Sequence, residues 1–296
     1  MNKEQQRDWL RLVLTPELTN IEAQQLLTHI GLPGEIFSAS FQQLRSIVGE
    51  SLALRLRHAP SLVVETAIEE SQRWLECTPG ARMMTLEDVD YPQSLLTSGL
   101  APVVFFAIGN LSLLSRPTIS LIGSSHPTTE ASELTQSWAK RLCEDAEVAI
   151  VQTDKQGIEQ DALVSVARSH PDSLIWLCST PLANPLIEKK RDFVANKGLI
   201  ISTVLPVKES FEEGDLEGIQ RLWMATVNNF VVIQASQRSK VLSLMREAGD
   251  LGREVMAVPG SIHHPLSKGC HQLIKQGASL VEGTDDILKN IKLKNL

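Results

Sequence analysis

The 296-residue sequence predicts an α/β protein: a Rossmann-like, doubly wound, mostly parallel sheet preceded by a small all-helical domain. Three observations carry this. The first eighty residues have helical spacing and almost no strand signal. From residue 118 onward, apolar runs of strand length alternate with amphipathic stretches of helix length. No apolar run reaches the ~18 residues that a membrane span needs. The expected division is a helical module of the SAM-like or helix-hairpin-helix type over 1–80 and a Rossmann-like domain over 81–296.

The opening residues interleave charge with Trp9, Leu10, Leu12 and Val13, an amphipathic helix rather than a signal peptide. Ile21, Leu26, Leu27 and Ile30 form one apolar face, which Gly31-Leu32-Pro33-Gly34 ends. Ile36, Phe37, Phe41, Leu44 and Ile47 continue the pattern. Val48-Gly49-Glu50 then leads into a helix through Leu52, Leu54 and Leu56. On sequence alone this module is either a small SAM-like or helix-hairpin-helix bundle or a plain helical packing unit.

Strands are expected at 118–123, 148–153, 174–179, 199–203, 230–235 and 254–259. Between them, Ala131, Leu134, Trp138 and Leu142 share one helical face, and Leu242, Met245 and Leu251 another. Continuously apolar strands separated by helices make βαβ units around a sheet buried on both faces.

The hydrophobic content of 43% is enough for a packed core, and the net charge of -7 argues against a surface that attracts nucleic acid everywhere. A local basic groove is compatible with that charge. Cys77, Cys143, Cys178 and Cys270 are far apart and form no CxxC pair, so neither zinc nor a disulfide framework is expected, and a reducing cytoplasm fits.

In an open parallel sheet, ligands bind beyond the carboxyl ends of the strands. The first such corner is Gly123-Ser124-Ser125-His126-Pro127, with Thr128 or Thr129 placed to cap the next helix. It is either an anion site or a turn that needs its glycine. GxGxxG and GxxxxGK[ST] are both absent, which disfavours a nicotinamide or nucleoside-triphosphate enzyme. His263-His264 and Cys270-His271 match no metal-ligand spacing. Glu159 and Asp161 open a helix, where the helix dipole explains acids more simply than paired-carboxylate catalysis does. No catalytic constellation, metal or cofactor is expected. Lys155, Arg221, Arg238, Lys240, Arg246 and Lys268 fall in loops after strands or on the adjoining helices. They form a cationic patch if they converge, and an ordinary solvated surface if they do not.

The order of motifs resembles the DNA-processing protein A (DprA/Smf) family. Tyr91-Pro92-Gln93-Ser94-Leu95-Leu96, Pro102-Val103-Val104-Phe105-Phe106 and Gly109-Asn110-Leu111 are similar to that family's lead-in to its first sheet strand. Ser120-Leu121-Ile122-Gly123-Ser124-Ser125 resembles its Val-Gly-Ser-Arg corner. The block from Gly252-Arg253-Glu254-Val255 through Val258-Pro259-Gly260-Ser261-Ile262 matches closely. It continues through Pro265-Leu266-Ser267-Lys268-Gly269 and Leu273-Ile274 to Gly277-Ala278.

The resemblance implies a non-enzymatic, cytoplasmic homodimer. It would bind and protect single-stranded DNA in natural transformation and help to load a RecA-type recombinase. The resemblance and the cationic patch together give Gly123, Ser124, Ser125, Lys155, Gly157, Arg221, Lys240, Arg246 and Lys268 as the candidate DNA residues, with Lys155 and Lys240 standing where the family has small residues.

Several pocket positions depart from the family pattern. Ser125 and Gln156 stand where the family carries arginine, and Ile219-Gln220-Arg221 keeps only the last base of Arg-Asn-Arg. Gln234-Ala235 replaces Glu-Ala, and Ser239-Lys240-Val241 replaces Ser-Gly-Ser. The family's frequent C-terminal winged helix has no counterpart after Asp286-Ile287-Leu288. Two rivals therefore stand beside DNA binding. One is a relative that has lost DNA and serves as a dimerisation or interaction scaffold. The other is a small-nucleotide-binding Rossmann protein using the Gly123 corner and Glu159.

Overall fold

The computed structural model describes residues 1–144, 148–208 and 213–294. Its first five helices form the expected bundle: α1 (Lys3–Val13), α2 (Asn20–His29), α3 (Pro33–Ser38), α4 (Phe41–Arg57) and α5 (Leu62–Cys77). Their starts are written in the sequence. Asn2, Thr19 and Ser40 each accept a backbone N–H of the first turn while the third helical residue reaches back, closing capping boxes. The Gly31–Gly34 stop is shorter than the sequence suggests. Gly31 alone takes a left-handed φ of 125°, and Pro33 already sits in the first turn of α3, where its missing N–H is not needed. Gly49, at φ 81°, interrupts α4 where the sequence places a junction.

After the bundle come β1 (Ala81–Thr85), α6 (Gln93–Leu96), β2 (Val104–Gly109), β3 (Thr118–Gly123), α7 (Thr129–Cys143), β4 (Ala149–Thr153) and α8 (Ile158–Ser169). They are followed by β5 (Leu174–Leu177), α9 (Glu188–Ala195), β6 (Leu199–Ser202), α10 (Glu213–Thr226), β7 (Asn229–Gln234) and α11 (Lys240–Asp250). The chain continues with β8 (Glu254–Ala257), α12 (Lys268–Lys275), β9 (Ser279–Leu280) and α13 (Thr284–Lys294). Among the described residues the strands form one sheet in the order β1-β2-β6-β5-β4-β3-β7-β8-β9. From β6 to β9 all pairs are parallel, while β1–β2 and β2–β6 are antiparallel. The sheet is therefore mostly parallel, as expected. The sequence reading marked six strands and did not mark β1, β2 or β9.

Alternate strand residues feed two cores. Ile119, Leu121, Ile150, Trp176, Ile200 and Val231 pack with the bundle, α7, α8 and α13. Ile122, Val151, Ile175, Ile201, Phe230 and Val232 pack with α6, α10, α11 and α12. The predicted faces of α7 and α11 both point into these cores, with Trp138, Leu142, Leu242 and Met245 buried.

The helical module is fastened to the sheet rather than tethered. Trp74 meets Phe106 edge to face at a centroid distance of 6.4 Å, a pairing worth about 0.5–1.5 kcal/mol beyond its burial. Asn20 accepts the Val103 N–H and donates to the Ala101 carbonyl, which also receives the Gln24 amide. One apolar cluster runs across residue 80 without a gap.

No helix of the described residues is long and apolar enough to cross a membrane.

Candidate nucleic-acid interface

Strand order reverses at β3, whose crossover through α7 leads to β4 on one side while β7 lies on the other. The carboxyl ends of β4, β3, β7 and β8 therefore line one edge, and the loops leaving them touch backbone to backbone. Gly157, at φ 99°, is where α8 begins. A methyl group there would lie 2.2 Å from the Ser124 carbonyl and 2.6 Å from the Ser125 Cα. Only glycine allows this approach, which the Ile158 N–H fixes by donating to the Ser124 carbonyl at 3.2 Å.

Gly123 faces β7 in the same way, since a Cβ on it would lie 2.7 Å from the Gln234 carbonyl. Gly269, at the start of α12, presses against the Ala235 and Ser236 carbonyls, and its N–H donates to Ala235 at 2.8 Å. Gly123, Ser124, Ser125 and Gly157 thus form one continuous floor, with the N-termini of α7 and α8 opening onto it. Helix N-termini leave N–H groups unpaired and attract negative charge.

Side chains complete the edge. Thr128 caps α7, accepting the Ala131 N–H at 3.2 Å, as the sequence predicts. Ser124 Oγ accepts the His126 N–H at 3.1 Å, and Ser125 Oγ lies 3.1 Å from His126 Nδ1. Asp154 accepts the Ser179 hydroxyl at 2.6 Å, tying the ends of β4 and β5. Burial raises the Asp154 carboxyl above its ordinary range, against the lowering effect of that hydrogen bond.

Glu159 differs from the expectation of an acid placed for the helix dipole. That account suits half-exposed Asp161, but Glu159 is 3% exposed and its Oε2 has no hydrogen-bond partner. Desolvation pushes its carboxyl up to about 8, partly offset by its own N–H, Lys155 and the Gly123 N–H.

The cations separate into two groups. Lys155 is exposed on the β4–α8 loop, and Lys240 and Lys268 are the first residues of α11 and α12, so all three belong to the carboxyl edge. Arg221 lies midway along α10 and pairs with Glu217 at 3.6 Å. Arg246 sits seven residues into α11, donating to Gln276 beyond the end of α12 at 3.3 Å, away from the edge. Exposed Arg238 lies on the β7–α11 loop.

Two of the histidines whose spacing matches no metal site serve the β8–α12 loop: His271 Nε2 accepts the Gly260 N–H at 3.2 Å, and His264 Nδ1 accepts that of Leu266 at 3.3 Å. The sequence reading missed the clasp between Thr128 and Gln234 and the Asp154–Ser179 pair. A polar residue ending an apolar strand was the only available signal for the clasp.

Residues 82–292 match the family described as DNA recombination-mediator protein A. The chain belongs to that family. Its role is that of a recombination mediator in DNA processing. Among curated relatives, it is 29% identical over 203 residues to the DNA processing protein DprA of Streptococcus pneumoniae, covering 67% of this chain and 70% of that protein. It is 27% identical over 299 residues to the Smf protein of Escherichia coli, covering 96% of this chain and 74% of that one. The solved DprA of S. pneumoniae shares the fold at a TM-score of 0.75 and 23% identity, covering 95% of this chain and 97% of that one. DNA processing protein A of Helicobacter pylori, solved to show its single-stranded DNA binding mode, superposes at a TM-score of 0.57 and 21% identity. That match covers 72% of this chain and 97% of that one.

Proposed function

We propose that the protein binds single-stranded DNA along the carboxyl edge of its sheet, without turnover, and hands it to a RecA-type recombinase as a homodimer. The observation that carries this reading is the glycine floor at Gly123 and Gly157, with two helix N-termini opening onto it. Such a surface suits phosphates spaced along a strand, because backbone N–H groups read charge and shape rather than base identity. Lys155, Lys240 and Lys268, with exposed Arg238 on the β7–α11 loop, supply positive charge to this edge of an otherwise acidic chain.

Natural transformation is the proposed setting of this activity, and the family resemblance supports it. The net charge of -7 and the loss of two family arginines at Ser125 and Gln156 favour the scaffold reading in its place.

Fluorescence anisotropy with labelled oligo-dT decides between them. The wild type should bind with a salt-dependent affinity, and Lys155→Ala/Lys240→Ala should lower the log–log salt slope by about 1.4, at ~0.7 per phosphate contact. No binding at low salt leaves the scaffold reading.

A further inference from the structure

A protein that holds a single strand without reading its sequence needs two kinds of contact: donors for the phosphates and flat surface for the bases. The glycine floor is of the first kind. Aromatic rings commonly supply the second, but in this molecule they lie inside. Among the described side chains no Trp, Tyr or Phe is exposed, and the half-buried ones, Phe37 and Phe41, belong to the helical module.

The β8–α12 loop offers a different surface on the same edge. Residues 261–264 form a tight turn, in which the His264 N–H donates to the Ser261 carbonyl at 3.0 Å and the His263 N–H to Ser261 Oγ at 3.3 Å. The turn is held on both sides. His271 accepts the Gly260 N–H before it, and His264 accepts the Leu266 N–H after it. The Ala235 N–H then donates to the Leu266 carbonyl at 2.8 Å, which fixes the loop to the end of β7.

Ile262 and His263 are the two central residues of this turn. Ile262 is 69% exposed, and His263 is exposed as well. Unlike the rings of His264 and His271, the His263 ring has no hydrogen-bond partner among the described residues. Turn tips favour Gly, Pro, Asn, Asp and Ser, which satisfy the local backbone, and Ile262 serves no such end. Exposed Lys268 follows on the same loop, so an apolar tip and a cation belong to one element.

We infer that Ile262 and His263 form a stacking platform for a base of the bound strand, at the β8 end of the carboxyl edge. The inference rests on the single-strand reading and divides its ligand: the glycine floor takes phosphates and the turn takes a base. Imidazole is among the rings on which unpaired bases stack, and a turn fixed in advance loses little freedom when the base arrives.

The test is fluorescence anisotropy at low and moderate salt with labelled oligo-dT and with a labelled strand of the same length built of abasic residues. Wild type, Ile262→Ala/His263→Ala and His263→Trp are compared, each checked by thermal denaturation. Wild type should bind oligo-dT at least about fivefold more tightly than the abasic strand. The double variant should lose about tenfold on oligo-dT, the size of one stacked base, and nothing on the abasic strand. Its log–log salt slope should equal that of wild type, since no phosphate contact is removed.

His263→Trp should bind oligo-dT at least as tightly as wild type, and it keeps the proposal testable if the double variant does not fold. A double variant equal to wild type on oligo-dT overturns the platform, as does a wild type that binds both strands equally. A loss shared by both strands, with a slope lower by about 0.7, overturns it too, because the turn is then a phosphate contact. A His263→Trp variant weaker than wild type overturns stacking on the ring. A wild type that binds neither strand at low salt overturns the proposed function itself, a result distinct from these.

Discussion

The two ends of the parallel strands are built on opposite principles. At the amino edge an open cleft of about 860 Å³ is walled by Tyr91, Arg116, Asn228, Asn229 and Arg253. At the carboxyl edge Gly123, Gly157 and Gly269 draw the loops into backbone contact, so the surface is a floor. The polar groups of the cleft largely serve the fold. Arg253 donates to the Met224 and Ala225 carbonyls at the end of α10, and Asn228 and Asn229 both bond Thr118. The comparison separates volume from the shape that a polymer would need. A chain of phosphates needs donors along a ledge, and a ledge is made by removing side chains.

Glycine substitutions should separate the edges most sharply. Gly157→Ala puts a methyl 2.2 Å from the Ser124 carbonyl at a φ of 99°. It should cost on the order of 3–5 kcal/mol in a denaturant melt and abolish strand binding. Gly252→Ala, at the amino edge, also sits at a positive φ, 75°, but has nothing within 4 Å of the added methyl. It should cost about 1 kcal/mol and leave binding intact. Equal costs at the two positions would mean that backbone strain alone, and not loop contact, shapes the carboxyl edge.

A smaller effect should come from Glu159. The unfolded chain releases this proton near the ordinary value of 4.5, while the folded protein holds it to about 8. Between those values the native state binds more protons than the unfolded one, so stability falls as pH rises and levels off above the upper value. An amide does not titrate, so the Glu159→Gln variant should lack this slope. It should match wild type near pH 5 and exceed it by on the order of 2–4 kcal/mol at pH 8. A stability difference that is flat with pH would show the carboxyl to be solvated. The smallest effect belongs to Arg116→Ala in the amino-edge cleft, where oligo-dT affinity should stay within about twofold of wild type. A tenfold loss there would move DNA to the other end of the sheet.

How much of this was legible depended on the range of the signal. Strands β3 to β7 announce themselves because both faces are buried, making runs such as Phe230-Val231-Val232-Ile233 continuously apolar. Strand β1, Ala-Arg-Met-Met-Thr, has a charge and only one β-branched residue, and β9 is two residues long, so neither shows a local pattern. Gly123 could be read as a corner because a glycine between a strand and a helix has a local meaning, whereas Gly157 came only from the family resemblance. The role of Gln234 could not be read, since its partner Thr128 is 106 residues away and the pairing exists only once β3 and β7 lie side by side. Glu159 looked like an ordinary first-turn acid because burial depends on which loop folds over it.

The four cysteines are chemically unequal. Cys143, Cys178 and Cys270 are buried, and desolvation raises all three thiols, Cys143 to about 12 and Cys270 to about 11. A buried neutral thiol is a poor nucleophile, whereas Cys77, at the last turn of α5, is exposed. The native chain thus carries a built-in attachment point for a maleimide dye or spin label. It lies at the seam between bundle and sheet and needs no engineered cysteine, so a single probe can report on that seam, or on the distance between two copies, in the unaltered sequence.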